Sequence, residues 1–266
     1  MQTDTKPLAG RVAVVTGGSR RQAIGAAVAR RLAGDGASVY LHSWSPYDAE
    51  RPWGGDPEGA AALVAELRAN GCEAVHGVAD FADPTAPAAV VAAARAEFGH
   101  VDILVANHAR SHRQSLEELT ATEIDLAYAV NTRATLLLVQ AFAAQHDDSK
   151  SGGRVVLFTS GQYHGSMPDE LTYIASKAAL HELTPSLAVH LARRGITVNC
   201  VNPGPNDTGW ADQEIVAASA DQIPGGRWST PQDTAHLVGW LVSDEAEWVT
   251  GQTIASDGGW SARSGI

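Results

Sequence analysis

Tyr173 and Lys177 stand four positions apart in the run Tyr173-Ile174-Ala175-Ser176-Lys177. That is about one helical turn, so on a helix both side chains share a face. A phenol with a pKa of about 10 is a poor proton donor or acceptor at neutral pH, and an ammonium beside it favours the phenolate. Bringing the phenol to neutrality takes roughly 4 kcal/mol of differential interaction, within reach of a close charge in a partly dry cleft. The pair reads either as a proton-transfer centre or as an ordinary surface pair on a helix, and its surroundings decide.

Those surroundings alternate between strand and helix. Short apolar runs at 11–16, 38–42, 73–78, 101–106, 154–159, 196–201 and 252–256 read as strands. Helical segments at 23–33, 57–70, 84–98, 121–145 and 172–193 lie between them, and another helix opens at Thr230-Pro231-Gln232-Asp233. Thr120-Ala121-Thr122-Glu123 gives the long middle helix a capping-box start. Repeated β-α-β with continuously apolar strands predicts an α/β fold: one domain over residues 1–266, a doubly wound parallel sheet of the Rossmann type, about seven strands with helices on both faces. Two long connections, 43–59 and 203–228, have the length of binding loops, and 205–228 reads as a substrate lid.

At 266 residues, with 44% hydrophobic and 18% charged residues, the chain can bury a full core. A net charge of -11 argues against nucleic acid or an anionic membrane as partner. Residues 1–10 lack the apolar stretch of a signal peptide, no run reaches membrane-spanning length, and Cys72 and Cys200 read as buried free thiols. A cytoplasmic protein is the expectation.

The first strand runs into Thr16-Gly17-Gly18-Ser19-Arg20-Arg21-Gln22-Ala23-Ile24-Gly25, where a helix begins. Glycines at such a turn let the backbone approach a pyrophosphate lying on the helix N-terminus. The second strand ends Leu41-His42-Ser43-Trp44, without the carboxylate that would accept a free ribose 2′-hydroxyl. Arg20, Arg21, His42 and Ser43 offer donors to a 2′-phosphate instead, so NADP(H) is expected over NAD(H). Asp80 and Phe81, after the third strand, fit an adenine contact, with Asp80 as a helix-preceding cap the alternative.

These features together resemble the short-chain dehydrogenase/reductases over essentially the whole chain, with the closest look to 3-oxoacyl-acyl-carrier-protein reductases and related carbonyl reductases. Ser160, thirteen residues before Tyr173, Asn131 in Ala129-Val130-Asn131-Thr132, the turn Asn202-Pro203-Gly204-Pro205-Asn206-Asp207-Thr208 and the ending Asp257-Gly258-Gly259 match the family's pattern in order. The resemblance implies hydride transfer between a nicotinamide and a carbonyl or alcohol carbon. Tyr173 would protonate the oxygen, Ser160 orient it, and Lys177 lower the tyrosine pKa and hold the nicotinamide ribose. Asn131 would fix a water that links Lys177 to solvent. Gly17, Ser19, Gly25, Ile24, Asn107, Pro203, Gly204 and Thr208 would border the cofactor, with Thr208 as a helix N-cap equally open. Gln162, Tyr163, His164, Met167 and Trp210 would face the substrate, and Trp210 and Trp228 could equally pack on the core.

Two departures stand out. The glycine turn is two residues longer than the family's, with Ala23 for its middle glycine. The fourth strand ends Ala106-Asn107-His108-Ala109 where the family has Asn-Asn-Ala-Gly. His108 and His112 lack an acidic third ligand in a recognisable pattern, so no metal site is expected. The leading reading is reduction of a ketone or 3-oxoacyl group. The alternatives are a sugar, polyol or alcohol dehydrogenase working oxidatively with NAD, and a non-catalytic dinucleotide sensor. Enoyl reductases of the superfamily space tyrosine and lysine more widely, and Glu170 occupies that position here. An acyl-carrier-protein partner would need basic residues, for which Arg110 and Arg113 are the candidates. Relatives imply a homotetramer or homodimer pairing the long helices, with 135–142 at the interface.

Overall fold

The seven expected strands form one parallel sheet in a computed structural model that describes residues 6–149 and 152–263. Residues 1–5 of the amino-terminal stretch read above lie outside it. The strands are β1 (Val12–Val15), β2 (Ser38–Ser43), β3 (Ala74–Val78), β4 (Ile103–Ala106), β5 (Gly153–Phe158), β6 (Ile196–Asn202) and β7 (Thr253–Ala255), ordered β3-β2-β1-β4-β5-β6-β7. β1, β4, β5 and β6 are buried at every residue, which is why they read as unbroken apolar runs rather than alternating ones. Strand order reverses between β1 and β4, which pair Ala13 with Ile103 and Val15 with Val105. A crevice therefore opens beyond their carboxyl ends, the place where such sheets take ligands.

Helices α1 (Ile24–Gly34), α3 (Gly59–Ala69) and α9 (Pro231–Leu241) cover one face, burying Leu32, Leu63, Val238 and Leu241. Helices α4 (Ala86–Phe98), α6 (Ala134–Gln145) and α7 (Leu171–Leu191) cover the other with Val90, Leu138, Phe142 and Leu191. Each such leucine or phenylalanine contributes about 1.5–3 kcal/mol by leaving water. In the 135–142 stretch assigned to an interface, Thr135, Leu138, Val139 and Phe142 are buried in the chain's own core, and only part of the stretch stays open. Cys200 is buried and free; Cys72 is also free but only half-buried, against expectation. Among the described residues no helix is long and apolar enough to cross a membrane.

The expected single helix over 121–145 is broken. After α5 (Ala121–Ala127), capped by Thr120, the backbone widens into a π-type segment, Tyr128–Arg133, before resuming as α6. Asn131 sits in that segment, fully buried. The two long connections also carry structure: α2 (Ser45–Ala49) lies in the first and α8 (Gln213–Ser219) in the second.

Candidate active site

The glycine turn after β1 is pinned by the end of β4. Asn107 Nδ2 donates to the carbonyls of Thr16 at 3.0 Å and Gly17 at 3.2 Å, and the peptide N–H groups of Asn107 and His108 donate to Thr16 Oγ1. The fit leaves no room for side chains. A Cβ on Gly25 would lie 2.4 Å from the Gly17 carbonyl oxygen, and one on Gly17, whose φ is +75°, would lie 2.8 Å from His108 Cα. The α1 N-terminus thus follows a tightly packed, backbone-lined turn, a cradle of the kind that can take an anion. Ile24 opens that helix, half-buried against the core. Asn107, assigned to the nicotinamide side, spends its amide holding the turn.

The four residues expected to act together converge. Ser160 leaves the end of β5, and its hydroxyl acts on the phenol of Tyr173 on the first turn of α7. Lys177, one turn on, is buried, and its Nζ donates to the carbonyls of Phe158 at 3.0 Å and His108 at 3.4 Å. This corrects the expected electrostatics. Burial pushes the Tyr173 phenol up to about 12, opposed by the Ser160 hydrogen bond and reinforced by Glu170. Burial likewise brings Lys177 down to about 8. The ammonium is held by strand-end carbonyls rather than aimed at the phenol, so the tyrosine is kept protonated.

Asn131 joins the site through backbone and hydroxyl. Its Oδ1 accepts from the Arg110 N–H at 2.7 Å, and its Nδ2 donates to the Arg110 carbonyl and to Ser176 Oγ, each at 2.8 Å. Ser176 Oγ in turn donates to the Tyr173 carbonyl at 2.9 Å. His108, in place of the family's small residue, is a buried neutral imidazole. Burial and the charge of Lys177 hold it well below the usual range, with Nε2 facing the Val130 carbonyl and Nδ1 facing Thr16 Oγ1.

Around the expected 2′-phosphate position several assignments change. His42 is buried, stacked on Phe81 at 4.0 Å with Nε2 on the Ala79 carbonyl, and burial lowers it to about 4. It is a neutral packing group, not a phosphate donor. Phe81 lies buried between the His42 and His108 rings, so it does not line an open adenine slot. Ser43 is buried and bonded to His76, and Ser19 Oγ accepts from the Trp44 N–H. Asp80 accepts from the Ala82 N–H in a turn and caps no helix, because α4 starts after Thr85. Arg20 and Arg21 both reach the cradle's rim. Arg20 meets Asp48 at 3.2 Å and donates to the Thr208 carbonyl at 3.0 Å, while Arg21 grips both oxygens of Asp56. Asp48 and Asp56, both in the 43–59 connection, were not anticipated.

Residues 17–261 match the family described as Enoyl-(Acyl carrier protein) reductase. The uncharacterized oxidoreductase YjdA of Bacillus subtilis is 37% identical over 252 residues, 94% of this chain and 96% of that protein. The chain belongs to the short-chain dehydrogenase/reductase family. It is thus an NAD(P)-dependent oxidoreductase acting on carbonyl or alcohol groups. A short-chain dehydrogenase of Burkholderia cenocepacia, solved in complex with NADP, superposes with a TM-score of 0.83 at 37% identity, covering 95% of this chain and 98% of its own. LugOII, a promiscuous reductase that catalyzes keto-reduction at C1 during lugdunomycin biosynthesis, gives 0.85 at 34% identity over 97% of this chain and 100% of its own.

The substrate side of this dehydrogenase/reductase departs from the sequence reading. Tyr163 accepts from Asn202 Nδ2 and is flanked by the His164 and His181 rings, and Gln162 donates to Thr159 Oγ1. Trp228 is buried, as the core-packing alternative required. Trp210 leans on it at 5.6 Å, with Nε1 on the Asn206 carbonyl. Thr208 caps no helix, because α8 starts after Asp212. Pro203 and Gly204 turn the chain after β6, and Gly204 packs on Asp257. Of the basic pair considered for an acidic carrier protein, Arg110 is bound doubly to Glu123 at 2.9 and 2.8 Å, and the exposed Arg113 meets Asp169 at 3.6 Å. Sequence reasoning missed Ser111 and Trp260. Tyr47 bonds the Ser111 backbone, and the Trp260 ring lies against Gly161. Glu170 had been noticed only for its distance from Lys177.

Proposed function

We propose that this chain reduces a ketone to an alcohol with NADP(H), Tyr173 giving its phenolic proton to the carbonyl oxygen. The observation that carries the reading is the placement of Ser160, just after β5, against Tyr173 on the first turn of α7, close enough for its hydroxyl to act on the phenol. A proton donor is what reduction needs. The cradle at Gly17 and Gly25 and the arginines at its rim fit a dinucleotide with a 2′-phosphate, and the NADP complex of the Burkholderia relative supports that choice. A bound nicotinamide supplies the hydride.

Ser160 donates to the carbonyl oxygen as charge develops, where a fixed donor is worth more than water. Lys177, anchored to Phe158 and His108, holds the ribose edge of the cleft and replaces the phenolic proton. Asn131 keeps Arg110 and Ser176 in place around it. Ile24, Pro203, Gly204 and Thr208 border the nicotinamide side, and 205–228 closes over the substrate. Asp48, near Ser19, favours a second reading, since a carboxylate there could accept a free ribose hydroxyl and turn the enzyme to NAD and alcohol oxidation. Affinities for NADPH and NADH, together with ketone-dependent NADPH oxidation, test the proposal. Tighter NADH binding would move the assignment to the oxidative reading, and unchanged turnover in Tyr173→Phe would remove the acid.

A further inference from the structure

Tyr173 and Lys177 share a face of α7, and Glu170 stands at the N-cap position immediately before that helix, three residues ahead of Tyr173. Lys177 is buried, while Tyr173 and Glu170 are both half-buried. The Glu170 carboxyl group does not swing freely. Glu170 Oε2 accepts from Ser111 Oγ at 2.9 Å, and a bridge between Gln114 and Glu170 ties the two loops together, with Gln114 N–H on the Asp169 carbonyl. Ser111 is gripped in turn by Tyr47, whose hydroxyl donates to its carbonyl at 2.8 Å and accepts from its N–H at 2.9 Å. The Tyr47 ring is held under the guanidinium groups of Arg51 and Arg110.

A fixed acceptor therefore stands three residues before the acid that protonates the substrate. The Glu170 carboxyl, three residues before Tyr173, also acts on its phenol, pushing it up. The nearby arginines do not offset it, because Arg110 is committed to Glu123 and Arg113 to Asp169. A substrate anion brought to Ser160 and Tyr173 would meet a like charge, while a hydroxyl would meet an acceptor already oriented by Ser111.

We infer that Glu170, set by Ser111 and Tyr47, selects an uncharged hydroxyketone, binding a hydroxyl next to the reacting carbonyl and disfavouring a carboxylate there. The inference rests on the ketone-reductase reading and names its substrate class.

Three matched ketones test it with NADPH: phenacyl alcohol, propiophenone with methyl in place of the hydroxyl, and phenylglyoxylate with a carboxylate. Wild type, Glu170→Leu, Glu170→Gln and Ser111→Ala are compared by ratios of kcat/KM, which cancel any loss of folded enzyme. Wild type should favour phenacyl alcohol over propiophenone about tenfold or more, the discrimination expected of a hydrogen bond to a charged group. Glu170→Leu should erase that preference. Glu170→Gln, which keeps an acceptor but not the charge, should keep much of it while raising phenylglyoxylate relative to propiophenone, and Ser111→Ala should fall between. Ratios unchanged in Glu170→Leu and Glu170→Gln overturn this inference and leave ketone reduction standing. A wild-type enzyme that binds NADPH and reduces none of the three overturns both.

Discussion

Asn131 donates its side-chain amide to the Ser176 hydroxyl at 2.8 Å, and Ser176 sits directly before Lys177 and three residues after Tyr173. A residue on one helix thereby holds the register of the reactive face of another. Removing it leaves the Arg110 N–H and carbonyl without their partner in a buried site. Asn131→Ala should cost about 1–3 kcal/mol, read as a lower urea midpoint, and lower kcat together with stability. Ser176→Ala removes one link of the chain and should cost less on both counts.

Tyr173→Phe keeps the ring and loses the proton. Turnover should fall by about 10²–10⁴-fold, with NADPH affinity unchanged by fluorescence titration. Equal losses of binding and turnover would mean that the ring, rather than the hydroxyl, is what the site needs.

Lys177 makes stability depend on alkaline pH. Its folded pKa of about 8 lies below the ordinary 10.5, so between those values the unfolded chain binds more protons and stability rises with pH. The full cost of the buried ammonium is present below about pH 8. The Tyr173 contribution has the opposite sign, since a pKa raised from 10 to about 12 is lost as pH climbs through that window. Wild type should gain on the order of 2 kcal/mol relative to Lys177→Met between pH 8 and 10, measured by urea unfolding. A flat difference would show that the ammonium is better solvated than its two carbonyl partners imply.

Arg20 and Arg21 separate by depth. The Arg21–Asp56 pair is exposed, so Arg21→Ala should leave stability nearly unchanged while weakening NADPH and not NADH. Asp56→Asn frees Arg21 for a phosphate and should tighten NADPH selectively, with a steeper salt dependence. Arg20→Ala should weaken NADPH and lower the Tm as well, because Asp48, Thr208 and Trp53 all lean on its guanidinium.

Gly25→Ala adds a methyl group 2.4 Å from the Gly17 carbonyl and 2.8 Å from Asn107 Nδ2. The turn must shift to admit it, at about 1–3 kcal/mol, and cofactor affinity should fall with it. Calorimetric titration with NADPH checks this. Retained affinity would mean that the cradle tolerates a displaced backbone.

The strands and the Ser160, Tyr173, Lys177 and Asn131 constellation could be read in advance because both are local in character. A strand buried on both faces is a continuous apolar run, and a helical face is a fixed spacing. Contacts set by distant segments could not be read that way. Lys177 turns from the phenol because carbonyls at the ends of β4 and β5 meet its ammonium. His42 becomes a neutral stacking group because Phe81 and His108 close around it. Asp48 and Asp56 reach the arginines only once α2 and α3 have folded onto the glycine turn. None of these pairings leaves a periodicity to detect.

The π-type segment at Tyr128–Arg133 amounts to one residue more than an uninterrupted α-helix would hold. Each residue of an α-helix turns it by about 100°, so the extra one rotates α6 against α5 by that amount. Asn131 can then reach α7 while Leu138 and Phe142 still fill the core. An unbroken helix would have had to misalign one or the other. Shortening this stretch by a single residue is therefore a change of phase rather than of length, and it would force the chain to choose between its chemistry and its packing.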